Sequence, residues 1–242
     1  MIELHEVKKS FEGREVLDGI NFHVPEGSSL AIMGPSGSGK SVMLKHIIGL
    51  LKPDSGQVTV MGRSVPDLNR NDLRELRRDM GYLFQNGALI NWLNVFDNVA
   101  LPLRETTGYD EKEIAARVRR CLDSMALPDS DRKFPSEISG GMQKRVSLAR
   151  TLVTEPRIIL YDEPEAGLDP GTSVVVSKII RRLQEEQDVT TVVVTHNTGC
   201  ARLVADRLAL FSRGKIVLNG SPDEVIGSDH PDAREFFGEG SD

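Results

Sequence analysis

Gly34-Pro35-Ser36-Gly37-Ser38-Gly39-Lys40-Ser41 is the stretch that decides the fold. It fits G-x-x-x-x-G-K-[ST] at every specified position, follows the apolar strand-like run Ser29-Leu30-Ala31-Ile32-Met33 and opens a helix-like segment from Lys40 to Leu50. Glycines let a backbone wrap so that successive N–H groups point inward at phosphate oxygens. The start of a helix adds a partial positive charge to such a nest. In this arrangement Lys40 reaches the β- and γ-phosphates of a nucleotide and the Ser41 hydroxyl ligates Mg²⁺, while Gly34, Pro35, Ser36, Gly37, Ser38 and Gly39 supply the wrapping backbone.

Working outward, residues 1 to 33 read as strands: Ile2, Leu4 and Val7, then Val16 and Leu17, then Ile20, Phe22 and Val24. A further strand, Gln57 to Val60, follows the turn Pro53-Asp54-Ser55-Gly56. From about Asn71 to Leu127 the pattern becomes mainly helical. Ile114, Val118, Leu122 and Met125 form one apolar stripe there. After Pro135 the chain alternates again, with a helix from Met142 to Val153, a strand from Arg157 to Asp162, a helix from Thr172 to Gln187 and a strand from Thr190 to Thr195. Strands near Arg207 to Phe211 and Lys215 to Leu218 precede short terminal helices. Such alternation implies an α/β fold with a mostly parallel sheet covered by helices, and a helical lobe inserted between its two halves.

The strand Arg157-Ile158-Ile159-Leu160-Tyr161 ends in Asp162-Glu163, placing two carboxylates at the edge of a parallel sheet where open α/β folds put their ligands. Asp162 is expected in the Mg²⁺ shell, and Glu163 is the candidate general base for an attacking water.

The whole-chain numbers fit an ordinary globular protein of one domain. Its 242 residues carry 30 Lys and Arg against 36 Asp and Glu, a net charge of −6, which gives no electrostatic reason to expect nucleic-acid binding. The two cysteines, Cys121 and Cys200, have no metal-ligand spacing and read as reduced thiols. No stretch approaches the roughly 20 apolar residues needed to cross a bilayer, and the N-terminus lacks a signal-peptide core. The expectation is a cytoplasmic protein that meets a membrane only through a partner; a family resemblance carried by residues further along the chain implies a peripheral place on the cytoplasmic face of the inner membrane.

Glu137-Ile138-Ser139-Gly140-Gly141-Met142-Gln143 narrows the class. It resembles the LSGGQ signature of ATP-binding cassette (ABC) ATPases, with Ile138 for the Leu and Met142 for the Gln. The resemblance spans roughly residues 2 to 225. It implies a P-loop, RecA-like core, an N-terminal antiparallel β-subdomain and an inserted helical subdomain. A single domain over 2–236 then divides into a core of 1–84 and 156–225, a helical lobe of about 85–155 and a short tail of 226–242. It implies an ATPase that binds ATP and Mg²⁺. Phe11 resembles the aromatic that stacks on adenine, and Gln85 matches the Q-loop glutamine, a Mg²⁺ and water contact. Ala166-Gly167-Leu168-Asp169 matches the D-loop, which crosses the dimer interface, and His196 matches the switch histidine facing the γ-phosphate. In the family, Ser139, Gly140 and Gly141 would close over the ATP of the opposite subunit, so a second copy of the chain is an expected partner.

Phe84-Gln85-Asn86-Gly87-Ala88-Leu89 and Val95-Phe96-Asp97-Asn98-Val99-Ala100-Leu101-Pro102-Leu103-Arg104-Glu105, with the Ser-Gly-Gly-Met signature, look much like the Mla-type ATPases of lipid transporters. Those machines pair an ATPase dimer with a permease dimer and an MCE substrate-binding protein and move phospholipids between inner and outer membranes. The region after Gln85, which holds the only tryptophan, Trp92, is where ABC ATPases receive a coupling helix of the membrane subunit. The sequence departs from the Mla type at Glu165 and in a shorter Pro231 to Asp242 tail. Two alternatives stand beside lipid transport: an importer ATPase for amino acids or ions, and a regulatory ABC ATPase of the cell-division type.

Overall fold

The structure, a computed structural model, describes residues 1–238. Strands β1 (Ile2–Phe11) and β2 (Arg14–Val24) form a hairpin closed by Glu12 and Gly13, both at positive φ (49° and 79°). Two left-handed residues are what a tight turn needs to match the twist of paired strands. The two short runs read between Val16 and Val24 are thus one strand, whose pairing with β1 shifts register between Leu4 and Ser10. Helix α1 (Lys40–Ile47) follows β3 (Ser29–Met33) and stops short of Leu50. Gly49, at φ 72°, turns the chain so that the Leu50 N–H donates to the Lys45 carbonyl at 2.8 Å. Strands β4 (Ser55–Val60) and β5 (Arg63–Ser64) complete an antiparallel sheet in the order β2-β1-β4-β5.

Helix α2 (Arg70–Arg78) leads into β6 (Met80–Leu83). That strand interrupts the stretch 71–127, which is otherwise mainly helical as its pattern implies. Four residues are too short to display a period of two, and β6 exists because β7 (Ile158–Asp162) pairs with it in parallel from Met80↔Ile158 to Leu83↔Tyr161. Helices α3 (Val95–Thr106), α4 (Glu111–Ser124) and α5 (Gly140–Leu152) make the inserted lobe. The stripe Ile114, Val118, Leu122 and Met125 is fully buried there, as its spacing requires. The chain closes with α6 (Pro170–Gln187), β8 (Thr190–Val194), α7 (Thr198–Val204), β9 (Arg207–Ser212), β10 (Lys215–Gly220), α8 (Pro222–Ile226) and α9 (Pro231–Gly238).

The second sheet runs β10-β9-β3-β8-β7-β6, parallel except for the antiparallel edge pair of β9 and β10. Its strands read as unbroken apolar runs because both faces are covered. Ala31, Met33, Ile159, Tyr161 and Val193 enter one core with the helical lobe and α6. Their neighbours Leu30, Ile32, Ile158, Leu160, Val192 and Val194 enter a second core with α1 and the antiparallel sheet. The central strands are therefore clamped from both sides, which holds their C-terminal ends in place. Cys121 and Cys200 are free thiols whose pKa values burial pushes up to about 12, so both stay protonated. Among the described residues, no helix is long and apolar enough to cross a membrane.

Asp18 on β2 fastens the antiparallel sheet to the parallel one. Its N–H donates to the Gly214 carbonyl at 2.8 Å, and its carboxylate accepts from Lys8 Nζ at 2.9 Å and pairs with Lys215 Nζ at 3.0 Å. Those two ammonium groups, Lys8 first, lower its pKa from 3.8 to about 2. A carboxyl whose pKa is lower folded than unfolded contributes stability above its unfolded value, and that contribution fades as pH falls through the folded one. Asp18→Asn is expected to destabilise the protein at pH 7 in urea denaturation. The difference from the parent should shrink steadily between pH 4 and pH 2, and a difference constant across that range would contradict the pairing.

Candidate active site

The C-terminal ends of β3 and β7 lie at the same edge of the parallel sheet, so the loops that leave them face one cavity of about 810 Å³. Phe11, Gly34, Ser36 through Ser41, Gln85, Glu163 and His196 line it together. The loop after β3 needs glycine at two points. A side chain at Gly34 (φ 154°) would place its Cβ 2.1 Å from the Phe211 carbonyl, and one at Gly39 (φ 112°) would lie 2.7 Å from Val16 Cγ1. The backbone therefore packs directly on β9 and β2.

Lys40 is buried, and its ammonium donates to the carbonyls of Gly34 (2.7 Å) and Pro35 (2.8 Å). Burial pulls its pKa below the ordinary lysine value, against the attraction of Glu163 and Asp162. The Ser41 hydroxyl donates to Asp162 Oδ1 at 2.8 Å, and the Tyr82 hydroxyl donates to Oδ2 of the same carboxylate at 3.1 Å. Ser38 Oγ is buried without a partner, which suits a hydroxyl that meets a phosphate oxygen.

Glu163 is a non-glycine residue at φ 49°, a costly conformation that the structure holds by donating its N–H to the Val194 carbonyl at 2.9 Å. Its carboxylate lies between two residues far away in sequence. Gln85 Nε2 donates to Oε2 at 2.6 Å, and His196 Nδ1 stands 3.8 Å from Oε1. Phe11 is two-fifths exposed at the end of β1, with Lys9 Nζ 5.5 Å from its ring centroid, so it is a surface ring at the cavity mouth and not a core aromatic.

Ser139, Gly140, Gly141 and Asp169 lie apart from this cavity. Ser139 caps α5 by accepting from the Met142 N–H at 3.3 Å, and Asp169 caps α6 by accepting from the Thr172 N–H at 3.0 Å. The first turn of α5 offers backbone N–H groups that have no intrahelical acceptor. In one copy of the chain they face solvent, since Ser139 and Gly140 are exposed. Three neighbours escaped the sequence reading. Tyr82 lies on the four-residue strand β6, which no local pattern marks. Phe236 on α9 lines the cavity through long-range packing, and Lys144 on α5 is buried although its sequence neighbours are polar. Only the Tyr-x-x-Gln spacing of Tyr82 and Gln85 offered a signal.

A phosphate nest with a buried lysine, faced by a strand-end carboxylate pair, is the site of a nucleotide-hydrolysing P-loop enzyme. Family comparison sharpens this: the ABC transporter family matches residues 17–166, and the chain belongs to it. It is an ABC ATPase, the ATP-binding subunit of a transporter. It is 41% identical over 236 residues to the probable ribonucleotide transport ATP-binding protein mkl of Mycobacterium leprae, covering 98% of this chain and 68% of that one. It is 38% identical over 237 residues to the intermembrane phospholipid transport system ATP-binding protein MlaF of Escherichia coli, covering 98% and 88%. The methionine import ATP-binding protein MetN of Clostridium tetani is 40% identical over 226 residues, covering 93% and 71%. Among solved structures, the ATP-binding cassette MJ0796 bound to ADP and Pi, described as dimeric, superposes with a TM-score of 0.85 at 35% identity, covering 92% of this chain and 99% of that one. The antiparallel sheet, the parallel core and the helical lobe are thus the ABC ATPase fold.

A charge-assisted contact is worth about 1.5–3 kcal/mol, so Lys40→Ala should weaken ATP binding about 10- to 100-fold. Calorimetric titration with ATP checks this, and unchanged affinity would remove Lys40 from the site.

Proposed function

We propose that this chain energises a phospholipid transporter, working as a pair of copies that sandwich ATP beneath a membrane permease and an MCE-type lipid-binding protein. The observation that carries the lipid reading is the nearly end-to-end likeness to MlaF, 98% of this chain and 88% of that one. The Ser139-Gly140-Gly141-Met142 variant and the wording around Gln85 support it. So does the surface flanking Gln85, where Phe84 is 40% exposed and, further along, Trp92 is 80% exposed. The buried Asn98 side chain pins that loop, accepting from the Ile90 N–H at 2.8 Å and donating to the Ile90, Leu93 and Asn94 carbonyls at 3.0 Å. An exposed indole on a pinned loop suits a helix-in-groove contact with a membrane subunit.

In this reading the triphosphate lies in the nest of residues 34–41, with the adenine on Phe11. Lys40 exchanges its two backbone carbonyls for phosphate oxygens, a better match for a buried ammonium. Ser41 Oγ and Asp162, with Gln85, are oxygen donors suited to Mg²⁺. Among the described residues no cluster of three or more His, Cys, Asp or Glu could hold an ion alone, so the nucleotide's phosphates would complete the shell. Mg²⁺, when bound, neutralises charge that builds up on the phosphates. Gln85 and His196 orient a water against Glu163. The water oxygen bonds to the γ-phosphorus, the bond to the β-bridging oxygen breaks, ADP leaves, and the water proton passes to Glu163. Ser139, Gly140 and Gly141 of a second copy cover the γ-phosphate with the free N–H groups of their helix start. Asp169 closes the Ala166-Gly167-Leu168-Asp169 loop that, in this reading, crosses between the copies.

General-base catalysis contributes about 10²- to 10⁴-fold. Glu163→Gln should therefore lower turnover at least about 100-fold while ATP binding persists, and a parental rate of phosphate release would remove Glu163 from the chemistry. For the transported substrate, the complex purified through this chain should contain a permease and an MCE protein, and phospholipid should stimulate its ATP turnover. A solute-capturing binding protein in that complex, with turnover driven by an amino acid, would transfer the assignment to an importer.

A further inference from the structure

Helix α5 grips the loop that begins at Gln85 along one face. Lys144, Ser147 and Arg150 are spaced three apart, so they project from the same side of the helix. The Lys144 ammonium donates to the Gln85 carbonyl. Ser147 packs against Gly87 so closely that a Cβ at Gly87 would lie 2.5 Å from Ser147 Oγ. Arg150 donates to the carbonyls of Gly87 and Ala88, both at 2.7 Å. Of these three residues, Lys144 also crosses to the other catalytic loop, donating to the Glu163 carbonyl at 3.2 Å.

Lys144 is 5% exposed, and a lysine so deeply buried needs a reason to remain there. Burial drives its pKa down, while Glu165, Glu163 and Asp162, in that order, act to hold its charge. Glu165 is itself buried at 5% exposure and accepts a hydrogen bond from Thr195 Oγ1, so the lysine and its strongest counter-charge are both built into the sheet edge. An apolar side chain would fill the same space without that cost, and the feature the ammonium adds is the pair of carbonyl contacts.

We infer that Lys144 is a positioning residue for ATP hydrolysis: it ties the main chain of Gln85 and of Glu163 to one point on the helix that Ser139 caps. The inference rests on the reading of Glu163 as the base. Because the tie is made through carbonyls, it leaves both side chains free to meet water and nucleotide. Because it stands on the same short helix, five residues after Ser139, any shift of α5 when its first turn engages a phosphate is passed to both catalytic loops at once. The exposed loop bearing Trp92 continues from Gln85, so the same tie joins the membrane-facing surface to the base.

The test compares Lys144→Met, which keeps length and removes the donors, with Lys144→Gln, which keeps two N–H donors on a shorter arm, in steady-state ATP hydrolysis by the purified protein. The expected result is a kcat at least about 10-fold below the parent for Lys144→Met, an intermediate kcat for Lys144→Gln, and a KM for ATP within about 2-fold of the parent in both. A parental kcat in Lys144→Met, or a KM that rises in step with the loss of kcat, would overturn the inference. If Lys144→Met does not fold, Lys144→Gln decides. A lowered kcat with KM held supports the tie, and a parental kcat or an altered KM overturns it. Glu163→Gln run alongside separates the two levels. A parental rate there sinks the base assignment, whereas loss of turnover there with parental Lys144→Met sinks only the tie.

Discussion

A buried ammonium held on two carbonyls of its own loop is the constraint around which the rest of this structure is arranged. Lys40 can be buried at the start of α1 only because the Gly34 and Pro35 carbonyls accept hydrogen bonds from its ammonium. Those carbonyls are in place only because Gly34 lets the backbone pack against Phe211. The arrangement brings a lysine charge and a helix start to one edge of the sheet. An anion relieves that concentration, and in the proposed function that anion is the triphosphate of ATP. The carboxylates of Asp162 and Glu163 are tolerated nearby because Ser41, Tyr82 and Gln85 each donate a hydrogen bond to them.

That edge stays rigid because the sheet is buried on both faces. Leu30 and Ile32 face one core while Ala31 and Met33 face the other, so a shift of β3 along its axis would disturb both. Rigidity of this kind holds a strained residue such as Glu163 at φ 49° where an isolated turn would relax. The helical lobe is fixed to the same edge through main-chain carbonyls of the loop at Gln85. Movement of α5 and movement of the catalytic loop are therefore one event, and this is the property an ATPase needs if closure around nucleotide is to be felt at a distant surface.

Much of this was legible from residues alone, for identifiable reasons. The phosphate loop, the carboxylates after β7 and the stripe on α4 each rest on spacing within a short window, and short windows are what a sequence displays. The brief strand β6 is marked by no pattern of its own, because its existence depends on β7, some 75 residues away in the chain. Phe236, Tyr82 and Lys144 were missed for the same reason: each reaches the site by tertiary packing. Lys144 is the sharpest case. Between Gln143 and Arg145 it reads as one more solvated charge, and only the fold buries it. Spacing located Ser139, Gly140, Gly141 and Asp169, yet within one copy they stand apart from the cavity, since their proposed roles need a second copy.

The central claim is that one ATP is shared between the loop at Gly34–Ser41 of one copy and the Ser139 turn of another. Its most direct test is the solution mass of the Glu163→Gln protein, measured with and without ATP, alone and with Ser139→Arg added. The account predicts an ATP-dependent dimer of twice the 26.7 kDa chain mass that the Ser139→Arg change abolishes. A mass that ignores nucleotide, or an ATP-dependent dimer that persists with Ser139→Arg, would contradict it.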